Sequence, residues 1–134
     1  MRHLAAAPLI GAFVAILLDG PLGAQERGSS IGYPSVDAAR KELLAKPGVR
    51  AVEQQGWLII DDQKEMSLWS FTPQSHEAHP AAVKRTILKK DGAMFVRMNV
   101  LCGASKEACD RLVAEFNALN DRMRQDIERR RPKS

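Results

Sequence analysis

Three small groups of residues have types and spacings suited to chemistry. Cys102 and Cys109, both cysteines of the chain, stand in "LCGASKEACDRL". His76 and His79 lie in "SHEAHP", and Asp61, Asp62 and Glu65 form a carboxylate cluster. Close cysteines can form a structural disulfide, supply half of a metal site, or act as a redox pair. Two cysteines and two histidines can together build a tetrahedral zinc site. The His76/His79 pair alone can bind zinc, copper or nickel at a surface. The carboxylates can do acid–base work, although a turn between strands gathers such residues anyway.

Larger catalytic signatures do not accompany these groups. The sequence has no His-Glu-x-x-His and no phosphate-cradling glycine loop. It has no Cys-x-x-Cys either, which leaves little for disulfide exchange. A histidine base for a small hydrolase would have to be His76 or His79. The sequence therefore reads as a binding or protein-interaction module. It assigns no catalytic residue and no cofactor, and the His76/His79 metal site and the hydrolase stand as alternatives.

The redox compartment bears on the cysteines. Residues 1–24, "MRHLAAAPLIGAFVAILLDGPLGA", run from Arg2 through an apolar stretch to a DGP break and small residues. This is the pattern of a cleaved secretory signal, with the cut expected between Ala24 and Gln25. The apolar run is shorter than the roughly 20 residues a membrane span needs. The expected location is the periplasm or outside the cell, with no stable membrane insertion after cleavage. About 110 residues then remain, the usual size of one domain. The formal charge of +4 is carried by Arg129, Arg130, Arg131 and Lys133, while the body is balanced. Such a tail can touch an anionic surface weakly. It does not make the basic face that nucleic acid requires.

The elements that must position these groups follow from periodicity. Residues 25–34 read as a flexible leader, rich in Gly and Ser. In "SVDAARKELLAKPG", Ser35 caps a helix, Val36, Ala39, Leu43 and Leu44 form its apolar side, and Pro47-Gly48 end it. Two short strands flank Gln55-Gly56, and "MSLWSFTP" is a third. In "VKRTILKKDGAMFVRMNVLC", Asp91-Gly92 predicts a two-residue hairpin turn. That turn sets Ile87 opposite Val96, Arg85 opposite Met98 and Val83 opposite Val100. One face then carries Val83, Ile87, Met94, Val96, Met98, Val100 and Cys102, interrupted by Arg85 and Lys89. The other carries Lys84, Thr86, Arg97 and Asn99 and reads as the solvated face. A long amphipathic helix follows, capped by Ser105, with Cys109, Leu112, Phe116, Leu119 and Met123 on one side.

The predicted fold is thus α+β: a single antiparallel sheet of four to five strands in α-β-β-β-β-α order. The C-terminal helix should pack on the face bearing Val96 and Met98. The domain spans 35–128 and a basic disordered tail spans 129–134. Cys102 ends the apolar alternation of its strand, and Cys109 lies on the apolar stripe of the helix covering it. Both sulfurs therefore point at one interface, and a disulfide is the preferred reading. A Cys₂His₂ zinc site is the alternative. The candidate binding surface is Trp69 and Phe71 with the 72–80 loop containing His76 and His79. Its partner would be another exported or envelope protein. Trp69 and Phe71 can equally be core.

The stretch WSFTPQSHEAHPAAVKR, the later Cys-x₆-Cys and the long terminal helix resemble a family of small exported proteobacterial proteins. The resemblance covers about 100 residues, a single domain in size. It implies export and one domain, and it brings no activity or site residues.

Overall fold

A computed structural model describes residues 31–132 of the chain. The secretory segment, the cut after Ala24 and most of the leader lie outside the described residues. The order of elements is α1 (Val36–Ala45), β1 (Arg50–Gln54), β2 (Trp57–Asp62), β3 (Ser67–Phe71), β4 (Ala81–Lys90), β5 (Ala93–Cys102) and α2 (Lys106–Arg129). The strands form one antiparallel sheet in the order β1-β2-β3-β4-β5. The fold is α+β with five strands and a long C-terminal helix, as the periodicity predicts.

Local chemistry sets the boundaries. The Ser35 hydroxyl accepts the Ala38 amide at 3.0 Å, and the Ser105 hydroxyl accepts the Ala108 amide at 3.2 Å. Each satisfies a donor that the first helical turn leaves open. The β1–β2 turn places Gln55 and Gly56 at φ 52° and 81°, and the β4–β5 turn places Asp91 and Gly92 at 51° and 76°. Two successive left-handed residues are what a two-residue type I′ hairpin demands, and glycine adopts that conformation without a Cβ clash. The β4–β5 register pairs Ile87 with Val96, Arg85 with Met98 and Val83 with Val100. Turn chemistry alone fixed that alignment.

The two sheet faces depart from the simple division into dry and wet. Lys84 was expected on a solvated face, but helix α1 covers that face across β2, β3 and β4. Ala39 and Leu43 pack there with Ile60, Trp69, Phe71 and Ala82. Ala82 is small enough for the helix to approach. Ile31 and Tyr33, expected in a flexible leader, join the same cluster, and Ile31 is fully buried. Residues 31–34 therefore belong to the packed domain rather than to a leader.

Helix α2 covers the opposite face, where Leu112 and Phe116 pack with Ala81, Val83, Met98 and Val100. Its cover stops short of the hairpin tip. Ile87, Met94 and Val96, expected to be buried, are exposed, as are Phe95, Met123 and Ile127. Alternation gave their side of the sheet correctly but not where the covering helix runs. The helix is continuous to Arg129, so the basic end begins as its last turn rather than as a disordered tail.

Candidate binding cleft between the sheet and the C-terminal helix

The sequence-predicted residues separate into structural and accessible ones. The sulfurs of Cys102 and Cys109 are bonded at 2.10 Å, with Cα atoms 5.9 Å apart. Both residues are half-buried rather than core, beside Ala104 and Val100. The bond ties the end of β5 to the first turn of α2. The zinc alternative needs free thiolates, so this pairing overturns the Cys₂His₂ site. Trp69 and Phe71 are 2% and 3% exposed, stacked at 6.3 Å between centroids. They are core and present no aromatic surface to a partner.

The two histidines turn to different partners. His79 Nδ1 lies 3.1 Å from the Thr72 carbonyl, an acceptor only, and 3.2 Å from its hydroxyl. His76 accepts the Ala78 amide at Nδ1 (3.0 Å), and its Nε2 lies 3.9 Å from a Glu115 oxygen. Among the described residues, no three His, Cys, Asp or Glu side chains gather as a metal site. The carboxylate cluster is likewise divided. Asp61 pairs with exposed Arg50 at 3.0 Å. Asp62 is buried, ion-pairs with Lys46, and accepts the Glu65 amide at 3.3 Å. Burial pushes the Asp62 carboxyl up, but the Lys46 hydrogen bond, the Glu65 amide and the Lys46 and Lys84 charges outweigh it. Its pKa ends below the usual value. This pair braces the end of β2 against the C-terminal end of α1.

The same region has a shallow concavity of about 180 Å³ lined by Tyr33, Lys46, Asp62, Ser67, Trp69 and Lys84. Of its two carboxylates, Asp62 is already paired with Lys46 and the other is Glu65, and the Lys84 ammonium sits 5.1 Å over the Trp69 ring.

A larger cleft, of about 240 Å³, opens on the α2 face. Helix α2 lies against β4 and β5, so the neighbouring strands β2 and β3 remain partly uncovered beside it. Ile59, Ser70 and Arg85 come from three adjacent strands and form the floor. Trp57, Phe116 and Leu119 form apolar walls, and Glu115 and Arg122 form the rim. Trp57 sits 5.8 Å from Phe116 and 5.1 Å from the His76 ring, closing one end. The aromatic cluster thus draws on the β1–β2 hairpin, the 72–80 loop and α2.

Arg85 is the unusual member. It is 9% exposed, yet among the described residues no carboxylate pairs with it. Its guanidinium lies 5.4 Å from the Phe116 centroid, and Nη1 approaches the Met123 sulfur at 3.5 Å. Nε has no acceptor. Burial lowers its pKa with no acidic neighbour acting against the shift. Desolvating such an ion costs several kcal/mol, whereas a cation–π contact returns about 0.5–2 kcal/mol and a thioether is a weak acceptor. The protein's own groups do not balance the charge.

Beside the cleft, His76 meets an acidic residue, Glu115, the arrangement a hydrolase would need first. Among the described residues no hydroxyl is coupled to His76, and Nδ1 is occupied by an amide. Ser70 is the cleft's hydroxyl and has no histidine partner. The geometry therefore assembles a binding site rather than a nucleophile and its base. The signal for this site was present in the sequence. Arg85 interrupts an otherwise apolar face, and only the fold shows that no acid meets it there. No family model, curated protein or solved structure matches the chain at a significant level.

Proposed function

We propose that this chain is a small exported binding module that takes a compact, largely apolar ligand into the α2-face cleft. One observation carries the reading: a concave site walled by Trp57, Phe116 and Leu119 with a few convergent polar groups, Ser70, Arg85, Glu115 and Arg122. Ligand sites have this mixture, with apolar walls supplying area and polar groups fixing orientation. A cavity of roughly 150 Å³ holds benzene, so the cleft suits one or two rings. Export rests on the 1–24 segment, and the Cys102–Cys109 bond is consistent with an oxidising compartment. Among the described residues no helix is long and apolar enough to cross a membrane.

Titration with 2-naphthol, followed through the indole N–H signals of Trp57 and Trp69, tests this reading. A saturable shift of Trp57 with Trp69 unmoved is expected. Absence of a saturable Trp57 shift contradicts it. The intact mass of periplasmic protein tests export, which requires loss of residues 1–24.

A second reading draws on the exposed apolar residues Met94, Phe95 and Val96 at the hairpin tip and Met123 and Ile127 on the helix. Apolar exposure of this kind suits a protein contact, with another exported or envelope protein as the partner. Cross-linking from position 95 in periplasm should trap one defined protein, and a diffuse pattern would count against it.

A further inference from the structure

We infer that the ligand of the α2-face cleft is a monoanion, a carboxylate carried on an apolar ring or short chain, and that Arg85 is the residue that receives its charge. This inference rests on the cleft reading above and names the ligand class. Arg85 is more than nine-tenths buried, lines the cleft, and has no acidic partner among the described residues. The other buried charge, Asp62, carries its own counter-ion in Lys46.

Three features define the anion. The guanidinium's Nη1 faces the Met123 sulfur while Nε lacks any acceptor, so its unmet donors lie along the Nε–Nη2 side. Two donors in a planar fork match a carboxylate better than a point charge does. The formal charges around the cleft are Arg85 and Arg122 against Glu115. Their sum favours one negative charge, and Glu115 opposes the second charge of a phosphate monoester. The Trp57 and Phe116 rings, 5.8 Å apart, give the remainder of the ligand an apolar seat. Ser70, on the adjacent strand of the same floor, supplies a hydroxyl that can turn toward an oxyanion.

The test compares two probes of nearly identical shape, naphthalene-2-carboxylate and naphthalene-2-carboxamide. Affinities are read from the Trp57 indole signal, and Trp69 on the opposite face reports that the fold is intact. The carboxylate should bind at least about tenfold tighter than the amide, the scale of a charge-assisted pair. In Arg85→Met that preference, read as the ratio of the two affinities in the same variant, should vanish. Arg85→Lys should restore only part of the preference, because an ammonium is not a planar fork. Equal binding of both probes to the parent protein would overturn the charge assignment and leave the cleft reading intact. A preference that survives in Arg85→Met would move the anion to another residue and overturn it too. If neither probe moves Trp57, both the cleft reading and this inference fail.

Discussion

Among the described residues, each face of the sheet buries one charged side chain, and the two are handled in opposite ways. On the α1 face, Asp62 is 2% exposed, and Lys46 and the Glu65 amide satisfy its carboxylate. On the α2 face, Arg85 is comparably hidden among Phe116, Met123 and the strands, without an acid. A buried charge with an internal counter-ion belongs to the architecture, because its partner is covalently part of the chain. One without a counter-ion leaves electrostatic work undone, and a ligand can complete it. The contrast locates the candidate site more sharply than shape does, since both faces have a concavity.

The largest effects should come from the two cores and should not distinguish the faces in stability. Ile60→Ala beneath α1 and Leu112→Ala on the buried side of α2 should each cost about 2–5 kcal/mol in urea unfolding, both side chains being fully buried. They should differ in binding, since Leu112 packs beside Phe116 in the cleft wall and Ile60 does not. Equal loss of probe affinity in both variants would break the comparison. Next in size is the Cys102→Ser/Cys109→Ser variant, which should fold at low temperature and lose about 2 kcal/mol, as expected of a short closed loop. Its binding should survive because the bond lies at the base of α2 and neither cysteine lines the cleft. Alkylation of two thiols in the non-reduced protein would contradict the pairing.

Acid titration sharpens the contrast further. The Asp62 pKa is lowered in the folded state, so its contribution is fully present above the unfolded value of about 3.9 and is lost as pH falls through the folded value. Asp62→Asn should flatten the decline of stability below pH about 4. An unchanged acid limb would show that the pair does not hold the fold. The smallest effect should be at the hairpin tip. Phe95 is 52% exposed, and Phe95→Ser should stay within about 0.5 kcal/mol of the parent protein. A large loss there would mean that the tip is covered in solution.

How much of this was legible in sequence depended on whether the cause was local. The Asp91-Gly92 and Gln55-Gly56 turns, the Ser35 and Ser105 caps and the Cys102–Cys109 pairing are settled within a few residues of chain, and each appears where the pattern puts it. Cover is not local. Lys84 marked its face as wet, yet α1 lies over that face and leaves the lysine half-buried on the Trp69 ring. Val96 looked like core, but α2 passes it by. Ile31 and Tyr33 were hidden in a Gly/Ser-rich context whose composition says loop, although both side chains are apolar enough to pack. The cleft needed a contact of the same kind, since Glu115 reaches His76 from a distant part of the chain. Arg85 was visible as an irregularity in an apolar stripe. That it lacks an acid is a statement about every neighbouring element, which no single stretch contains.

The most direct test is a paired measurement of unfolding free energy for Arg85→Met and Asp62→Asn, by urea denaturation at pH 7 without added ligand. If Asp62 is matched internally and Arg85 is not, only Asp62→Asn should be destabilised. Asp62→Asn should lose about 1–3 kcal/mol, the scale of hydrogen bonds to a charged group. Arg85→Met, which puts an apolar chain of similar length in the same place, should be unchanged or about 1 kcal/mol more stable. An Arg85→Met protein destabilised as much as Asp62→Asn would show that Arg85 is already satisfied within the fold, and would contradict the account.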